Sequence, residues 1–202
     1  METLIVCRHA ESECSLRGIV NGEPNSRCPL TERGDEEARV LARALTGRTI
    51  DLCVTSEFQR VRQTARLALA GHDDVPWLEL PELNDIRVGM FEGGALDLYR
   101  EWAHAHGPGE IPPGGGESRA EAAARFVRGW RIVLARFEPT ILAVTHGLVV
   151  SFLCEVVAGV TPRPGHDRVP YARPFEFDAK TVTSAVELLS SWAVSPHWGT
   201  PD

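Results

Sequence analysis

No cysteine pair in this chain has the C-x-x-C spacing that holds zinc or forms a redox couple. The five cysteines, Cys7, Cys14, Cys28, Cys53 and Cys154, are scattered and odd in number. They read as free thiols of a reducing cytosol. No apolar run approaches the ~20 residues of a membrane span. The start, Met1-Glu2-Thr3 followed by Leu4-Ile5-Val6-Cys7, lacks the basic residues and long apolar stretch of a signal peptide. A cytoplasmic protein without a membrane partner is expected. Basic excess is absent too: 21 Lys and Arg face 28 Asp and Glu, for a net charge of −7 and a pI near 5.5. Neutralising a nucleic-acid backbone needs a basic face, which argues against nucleic acid as a partner. One small anion in a local basic pocket stays compatible with this charge. His104 and His106 have no third ligand nearby in sequence, so no metal site is expected. Internal repeats and low-complexity linkers are also missing.

What is present suits one domain over residues 1–202, with a small cap insertion near 84–116. The chain has 202 residues, 43% hydrophobic and 24% charged, enough to bury a core without staples. Leu4-Ile5-Val6-Cys7 reads as a buried strand, as do residues 52–54 and 140–144. Thr31 caps a helix over 31–45, with Ala38, Leu41, Ala42 and Leu45 on one face. Ser56 with Gln59, and Ser118 with Glu121, have capping-box spacing. The second box opens a helix expected to bury Ala122, Phe126, Trp130, Val133, Leu134 and Phe137. Trp102, Trp130 and Trp192 read as core residues. Further helices are expected over 96–105 and from 147 to about 158. A short strand is expected near 77–80, and the tail 175–188 reads as two edge strands. This alternation predicts an α/β fold with a mostly parallel sheet. Ligands of such sheets bind beyond the carboxyl ends of the strands. His9 and His146 each follow an apolar strand and are expected to share that crevice.

Three segments carry the chemistry. Arg8-His9-Ala10-Glu11-Ser12 follows the first strand, Ser56-Glu57-Phe58-Gln59-Arg60-Val61-Arg62-Gln63-Thr64-Ala65 the second, and Thr145-His146-Gly147 the third. A phosphate monoester is a dianion that repels nucleophiles, so cations around its oxygens favour attack. The planar arginine fork suits them. A neutral imidazole can take the phosphoryl group, and the leaving alkoxide then needs a proton.

In this order the segments resemble the histidine phosphatase superfamily, the phosphoglycerate mutase-like family. Pro29-Leu30-Thr31-Glu32-Arg33-Gly34, Leu83-Asn84-Asp85-Ile86, Gly89-Met90-Phe91-Glu92-Gly93 and Gly116-Glu117-Ser118 extend the likeness over nearly the whole chain. The resemblance implies a three-layer α/β/α domain and a metal-independent, cofactor-free reaction through phosphohistidine. It makes His9 the nucleophile. Arg8, Arg60 and His146 become ligands of the phosphoryl oxygens, with His146 best used as the cation. Arg60 rather than Arg62 matches the family arginine, because it precedes Thr64 by four residues; Arg62 is left to assist or to face solvent.

The chain departs from the family at several points. Asp85 stands where the family usually has a glutamate acid; Glu82 is the alternative donor, and an Asp85 that merely caps a turn is the bland one. Ala10 replaces a common glycine. Cys14-Ser15 replaces a common tryptophan and asparagine, leaving Ser15 a shorter reach to phosphate. No acid follows His146, which disfavours the acid-phosphatase branch. Asn21-Gly22 occupies a substrate-contacting turn, or is an ordinary turn. Residues 112–116 form a glycine-rich loop without the Lys-Ser/Thr of a P-loop. Arg163, His166, Arg168 and Arg173 are expected to be solvated, or to close over an anionic substrate.

The resulting expectation is a phosphatase acting on a small phosphorylated metabolite, a sugar phosphate, nucleotide or pathway intermediate. A cofactor-dependent phosphoglycerate mutase is the alternative. It is disfavoured because Arg100 is the only basic residue of 94–113 besides His104 and His106. A binding module without turnover is the third reading, kept open by Ser15 and Asp85. A homodimer is compatible with the chain, though no interface signature is visible.

Overall fold

The computed structural model describes residues 1–164 and 169–199. Five strands form one sheet in the order β3-β2-β4-β1-β5. The parallel strands are β1 (Thr3–Arg8), β2 (Leu52–Thr55), β3 (Trp77–Glu79) and β4 (Thr140–Thr145). β5 (Phe175–Asp178) pairs antiparallel with β1. Arg8 lies opposite Thr145, and Thr55 opposite Val144. This register brings the carboxyl ends of β1, β4 and β2 level with one another, and so places the residues that follow them in one crevice.

Alternate strand residues point to opposite faces. Leu4, Val6, Leu52, Val54, Ile141 and Ala143 pack with α5 (Arg119–Leu134), α6 (Gly147–Val157) and α7 (Ala179–Val194). Ile5, Cys7, Cys53, Leu142 and Val144 pack with α2 (Glu32–Leu45) and α3 (Gln59–Ala68). Helices on both faces make three layers and explain why these strands are apolar throughout. Two shorter helices complete the described elements near the site, α1 (Glu13–Leu16) and α4 (Leu96–Ala105). No helix among the described residues is long and apolar enough to cross a membrane.

The expected caps divide. Thr31 accepts from Gly34 N, and Ser118 with Glu121 forms the full box. Ser56 does not cap α3, whose N-cap is Phe58; its hydroxyl is taken by His146 instead. Trp130 and Trp192 are buried, and Trp102 packs against their cluster. Phe137 is 84% exposed because α5 stops at Leu134, before it could bring that ring inward. The tail departs most. Only β5 is a strand, and α7 follows, capped where Asp178 accepts from Thr181 N. Val182, Ala185, Val186, Leu189 and Trp192 are its buried face. Their helical period outweighs the β preference of Thr181, Val182 and Thr183.

Cys14 and Cys28 are joined in a disulfide, which corrects the reading of all five cysteines as free. The chain returns after α1 so that Ser12 bridges Leu30, bringing the two cysteines to a Cα separation of 5.9 Å. Cys7, Cys53 and Cys154 are free.

Phe126 is fully buried between the helices of one layer. Phe126→Ala is expected to lower unfolding stability by about 3–5 kcal/mol in urea titrations. A loss below about 1 kcal/mol would mean that α5 is not packed as described.

Candidate active site

β1 runs into Arg8-His9 and β4 into Thr145-His146, and His9 N donates to Thr145 O at 2.8 Å. Arg60 lies in the first turn of α3, just beyond β2. The four-residue step to Thr64 has a structural purpose. Thr64 Oγ1 donates to Arg60 O at 2.7 Å and accepts from Ala10 N at 3.0 Å. One hydroxyl thereby ties the arginine's turn to the loop of the histidine. Above them opens a cleft bordered by Arg8, His9, Arg60 and Asp85.

His9 is 4% exposed. Its Nδ1 faces Ala10 O at 2.7 Å, so Nδ1 carries the hydrogen and Nε2 the lone pair. Arg60 Nε donates to that Nε2 at 3.1 Å. Burial first, then the Arg60 and Arg8 cations, hold the imidazole well below the usual histidine pKa. Arg8 stacks on Tyr171, with 3.9 Å from guanidinium carbon to ring centroid, and donates to Val169 O at 3.0 Å. Its Nε is buried without a hydrogen-bond partner.

Arg60 is the hub. Its two terminal nitrogens donate to Asn21 Oδ1 at 2.5 Å and Asn21 O at 3.2 Å. Asp85 Oδ2 lies 3.5 Å away. Burial lowers its pKa to about 10, against the attraction of Asp85.

The expectation that His146 serves as a cation toward the phosphoryl oxygens meets an opposing burial. The side chain is fully buried, behind Arg60 and Asp85 rather than on the cleft wall. Nε2 meets Ser56 Oγ at 2.8 Å, and Nδ1 lies 3.3 Å from an Arg60 nitrogen and 3.4 Å from Asp85 Oδ2. Arginine only donates, so Nδ1 accepts and Nε2–H donates to Ser56. Burial, then Arg60, holds this imidazole well below its usual pKa and keeps it neutral.

Asp85 Oδ1 accepts from Ile86 N at 3.0 Å, leaving Oδ2 to the cluster. Burial pushes the carboxyl pKa up, and Arg60 opposes the rise. Asp85 borders the cleft, whereas Glu82 lies in the 3-10 turn Pro81–Leu83, beside Gly129 and away from it. The bland reading of Asp85 as a turn cap accounts for one oxygen only.

Sequence reading missed what holds this loop. Arg125 donates to the carbonyls of Glu82, Asn84 and Asp85 at 3.0, 2.9 and 3.0 Å. The same guanidinium grips both oxygens of buried Glu117 at 2.8 and 2.7 Å. Thr145 Oγ1 donates to Leu83 O, and Asn84 exchanges two hydrogen bonds with Glu57. The Gly116-Glu117-Ser118 motif was the only signal of the clamp.

Three expected substrate contacts have other employment. Ser15 borders the cleft, but its hydroxyl donates to Ser12 O at 2.9 Å and accepts from Ser12 N, closing the cap of α1. Asn21 Nδ2 and Gly22 N both donate to Glu92, at 3.1 and 2.7 Å. Asn21 and Gly22 border the cleft, and the turn positions Arg60 while its amides are engaged by Glu92. Gly22 is needed there because a Cβ would fall 2.3 Å from Ile86 O. Arg62 pairs with Glu79 at the surface. Arg173 is exposed and Arg163 borders a separate hollow; His166 and Arg168 lie outside the described residues. Among the described residues no three His, Cys, Asp or Glu side chains are grouped to hold a metal ion.

This site, on this sheet, defines an enzyme class. The histidine phosphatase superfamily (branch 1) model matches residues 4–172, and the chain belongs to that superfamily of phosphoric monoester hydrolases. An adenosylcobalamin/alpha-ribazole phosphatase of Escherichia coli (strain K12) is 30% identical, over 95% of this chain and 97% of that protein. A 2,3-bisphosphoglycerate-dependent phosphoglycerate mutase of Methylobacterium sp. (strain 4-46) is 31% identical, over 92% and 96%. The crystal structure of the alpha-ribazole phosphatase from Shigella flexneri superposes with a TM-score of 0.67 at 29% identity, covering 78% of this chain and 80% of that one.

Two imidazoles held neutral by burial make stability depend on pH. Below the unfolded histidine pKa of about 6.5 the unfolded chain binds protons that the native state refuses. Stability from this source is full above that pH and falls as pH drops through it, by about 1.4 kcal/mol per pH unit for each histidine. Asp85, with its raised pKa, works in the opposite sense at lower pH. Urea unfolding at a series of pH values is expected to show a shallower fall for His146→Asn than for the parent. Equal slopes would mean that His146 is charged in the native state.

Proposed function

We propose that the protein hydrolyses a small phosphate monoester through a phosphohistidine on His9. The observation that carries this reading is the locked tautomer. Nδ1–H is committed to Ala10 O, so the lone pair is on Nε2 at the edge of the cleft, with Arg8 and Arg60 beside it. A neutral imidazole in that orientation needs no deprotonation before attack.

In the first step the Nε2 lone pair forms a bond to phosphorus and the ester P–O bond breaks. Asp85, whose burial favours the protonated carboxyl, gives a proton to the leaving alkoxide. The unpaired Arg8 Nε and the N–H of the Arg60 fork left over from Asn21 and His146 supply donors to the phosphoryl oxygens as charge moves onto them. In the second step the Asp85 carboxylate takes a proton from water, whose oxygen attacks phosphorus. The P–N bond breaks, phosphate leaves and neutral His9 returns. His146 lies beside Asp85 Oδ2 and Arg60, and its role in this reading is to hold both in place and to share the proton traffic. The reaction is metal-independent and takes place in the cytoplasm on a small phosphorylated metabolite. Because phosphatase relatives carry the name of alpha-ribazole, its phosphate is one ester to try. The mutase relative supports the second reading, phosphotransfer primed by a bisphosphate.

Purified protein in chelator should release inorganic phosphate from at least one member of a panel of sugar, nucleoside and alpha-ribazole phosphates. His9→Ala is expected to abolish the release, and Asp85→Asn to slow it by about 10²–10⁴-fold. Release that survives His9→Ala would sink the phosphohistidine route. Turnover of phosphoglycerate only with 2,3-bisphosphoglycerate added would establish the mutase reading instead.

A further inference from the structure

The loop that presents Asn21 to Arg60 is closed by sulfur. The Cys14–Cys28 disulfide joins residues 14 apart in sequence, and the ring it makes contains Asn21 and Gly22. Between α1 and α2 the chain forms no helix or strand. The first part of this loop is tied to the segment before α4, with Val20 N on Gly94 O at 3.0 Å and Glu92 on Asn21 and Gly22. Beyond Gly22 the chain turns outward. Glu23, Asn25, Ser26 and Arg27 are exposed, and the next buried residue is Cys28. The Asn21 turn is therefore held from one side by a carboxylate and from the other by the disulfide.

The two sulfurs differ in access. Cys14 is half-buried and borders the same cleft as His9 and Asn21, whereas Cys28 is buried. Cys14 N donates to Cys28 Sγ at 3.1 Å, and Ser12 Oγ lies 3.6 Å from the same sulfur. Both groups favour a thiolate that leaves on Cys28. Burial pushes up the pKa of the Cys7, Cys53 and Cys154 thiols, which leaves thiol exchange to the Cys14–Cys28 pair. In a reducing cytoplasm a disulfide is usually transient or redox-sensing rather than permanent.

We infer that the Cys14–Cys28 pair is a redox switch on the active site, in which the disulfide holds the Asn21 turn against Arg60 and reduction by a dithiol releases it. A thiolate of the dithiol attacks Cys14 Sγ from the cleft. The S–S bond breaks, and its electron pair leaves on Cys28 Sγ, which takes a proton. The second thiol of the reductant, as thiolate, displaces Cys14 from the mixed disulfide. Two cysteines are then reduced and one dithiol has become a disulfide. A low-molecular-weight disulfide reverses the exchange. Opening the ring gives the loop more conformations. Asn21 then spends less time on Arg60, whose fork loses the two acceptors that orient it. This inference rests on the phosphate-monoester reading for the choice of phosphate as the ligand.

The test compares the wild-type chain in its two redox states, with alkylation and mass spectrometry reporting whether Cys14 and Cys28 are thiols. Hydrogen exchange around Gly22, whose N–H is donated to Glu92, needs no ligand. Reduction by dithiothreitol is expected to speed it by about tenfold, and reoxidation to restore it. Calorimetry with inorganic phosphate should show about tenfold weaker binding to the reduced protein. Cys14→Ala/Cys28→Ala protein should match the reduced form and ignore dithiothreitol; should it fail to fold, the reversible change in the wild-type chain still decides. Equal exchange in the two states, phosphate bound equally tightly by both, a pair that resists excess dithiothreitol in the folded protein, or a response that persists in the double variant would overturn the switch. Faster exchange on reduction with no phosphate bound by either form would support the switch and count against the phosphate-monoester reading.

Discussion

A guanidinium in the interior must find acceptors for its hydrogens, and the arrangement around Arg60 follows from that demand. Only 4% of this residue is exposed. Its fork reaches the side chain and carbonyl of Asn21, and its Nε reaches the His9 lone pair. Removing a partner from a buried charge costs several kcal/mol, far more than a surface pair contributes. Asn21, itself held by Glu92, is therefore as much a part of the site as the histidines. Asp85 Oδ2 lies within 3.5 Å of both the Arg60 fork and His146 Nδ1, and that proximity couples the three.

The scaffold's contribution is alignment. Parallel pairing of β1, β4 and β2 places Arg8-His9, Thr145-His146 and the start of α3 at one level. The Asp85 loop has no strand to hold it, and the Arg125–Glu117 pair takes that task by gripping the carbonyls of Glu82, Asn84 and Asp85. Shared burial then sets the chemistry. It disfavours the charged form of His9 and favours the protonated form of Asp85, effects of one dry environment on a base and an acid.

Much of this was legible in the chain. An apolar run ending in Arg8-His9, another ending in His146, and an arginine one turn before Thr64 are local signals whose meaning does not depend on distant contacts. The α/β alternation and mostly parallel sheet followed from the same runs, and the three layers from the family resemblance. Legibility ended where a side chain's direction is set by a partner far away in sequence. Asn21 and Gly22 looked free for substrate until Glu92 claimed their amides. Ser56 had the spacing of a cap but turned to His146. His146 suited a cation, yet its burial beside Arg60 works against that charge. Cys14 and Cys28 looked unpaired because only the return of the chain beside α1 joins them. In the tail, β-branched residues concealed a helical period that the packing of α7 made decisive.

The central claim is that His9 Nε2 is the atom that bonds to phosphorus. The most direct measurement is ³¹P and ¹⁵N NMR of Asp85→Asn protein, mixed with a turned-over ester and held at alkaline pH, where phosphohistidine persists. The account predicts a phosphorus resonance coupled to a histidine nitrogen, assigned to Nε2 and absent when His9 is also replaced by Ala. A coupling to Nδ1, or a phosphohistidine that survives the loss of His9, would contradict it.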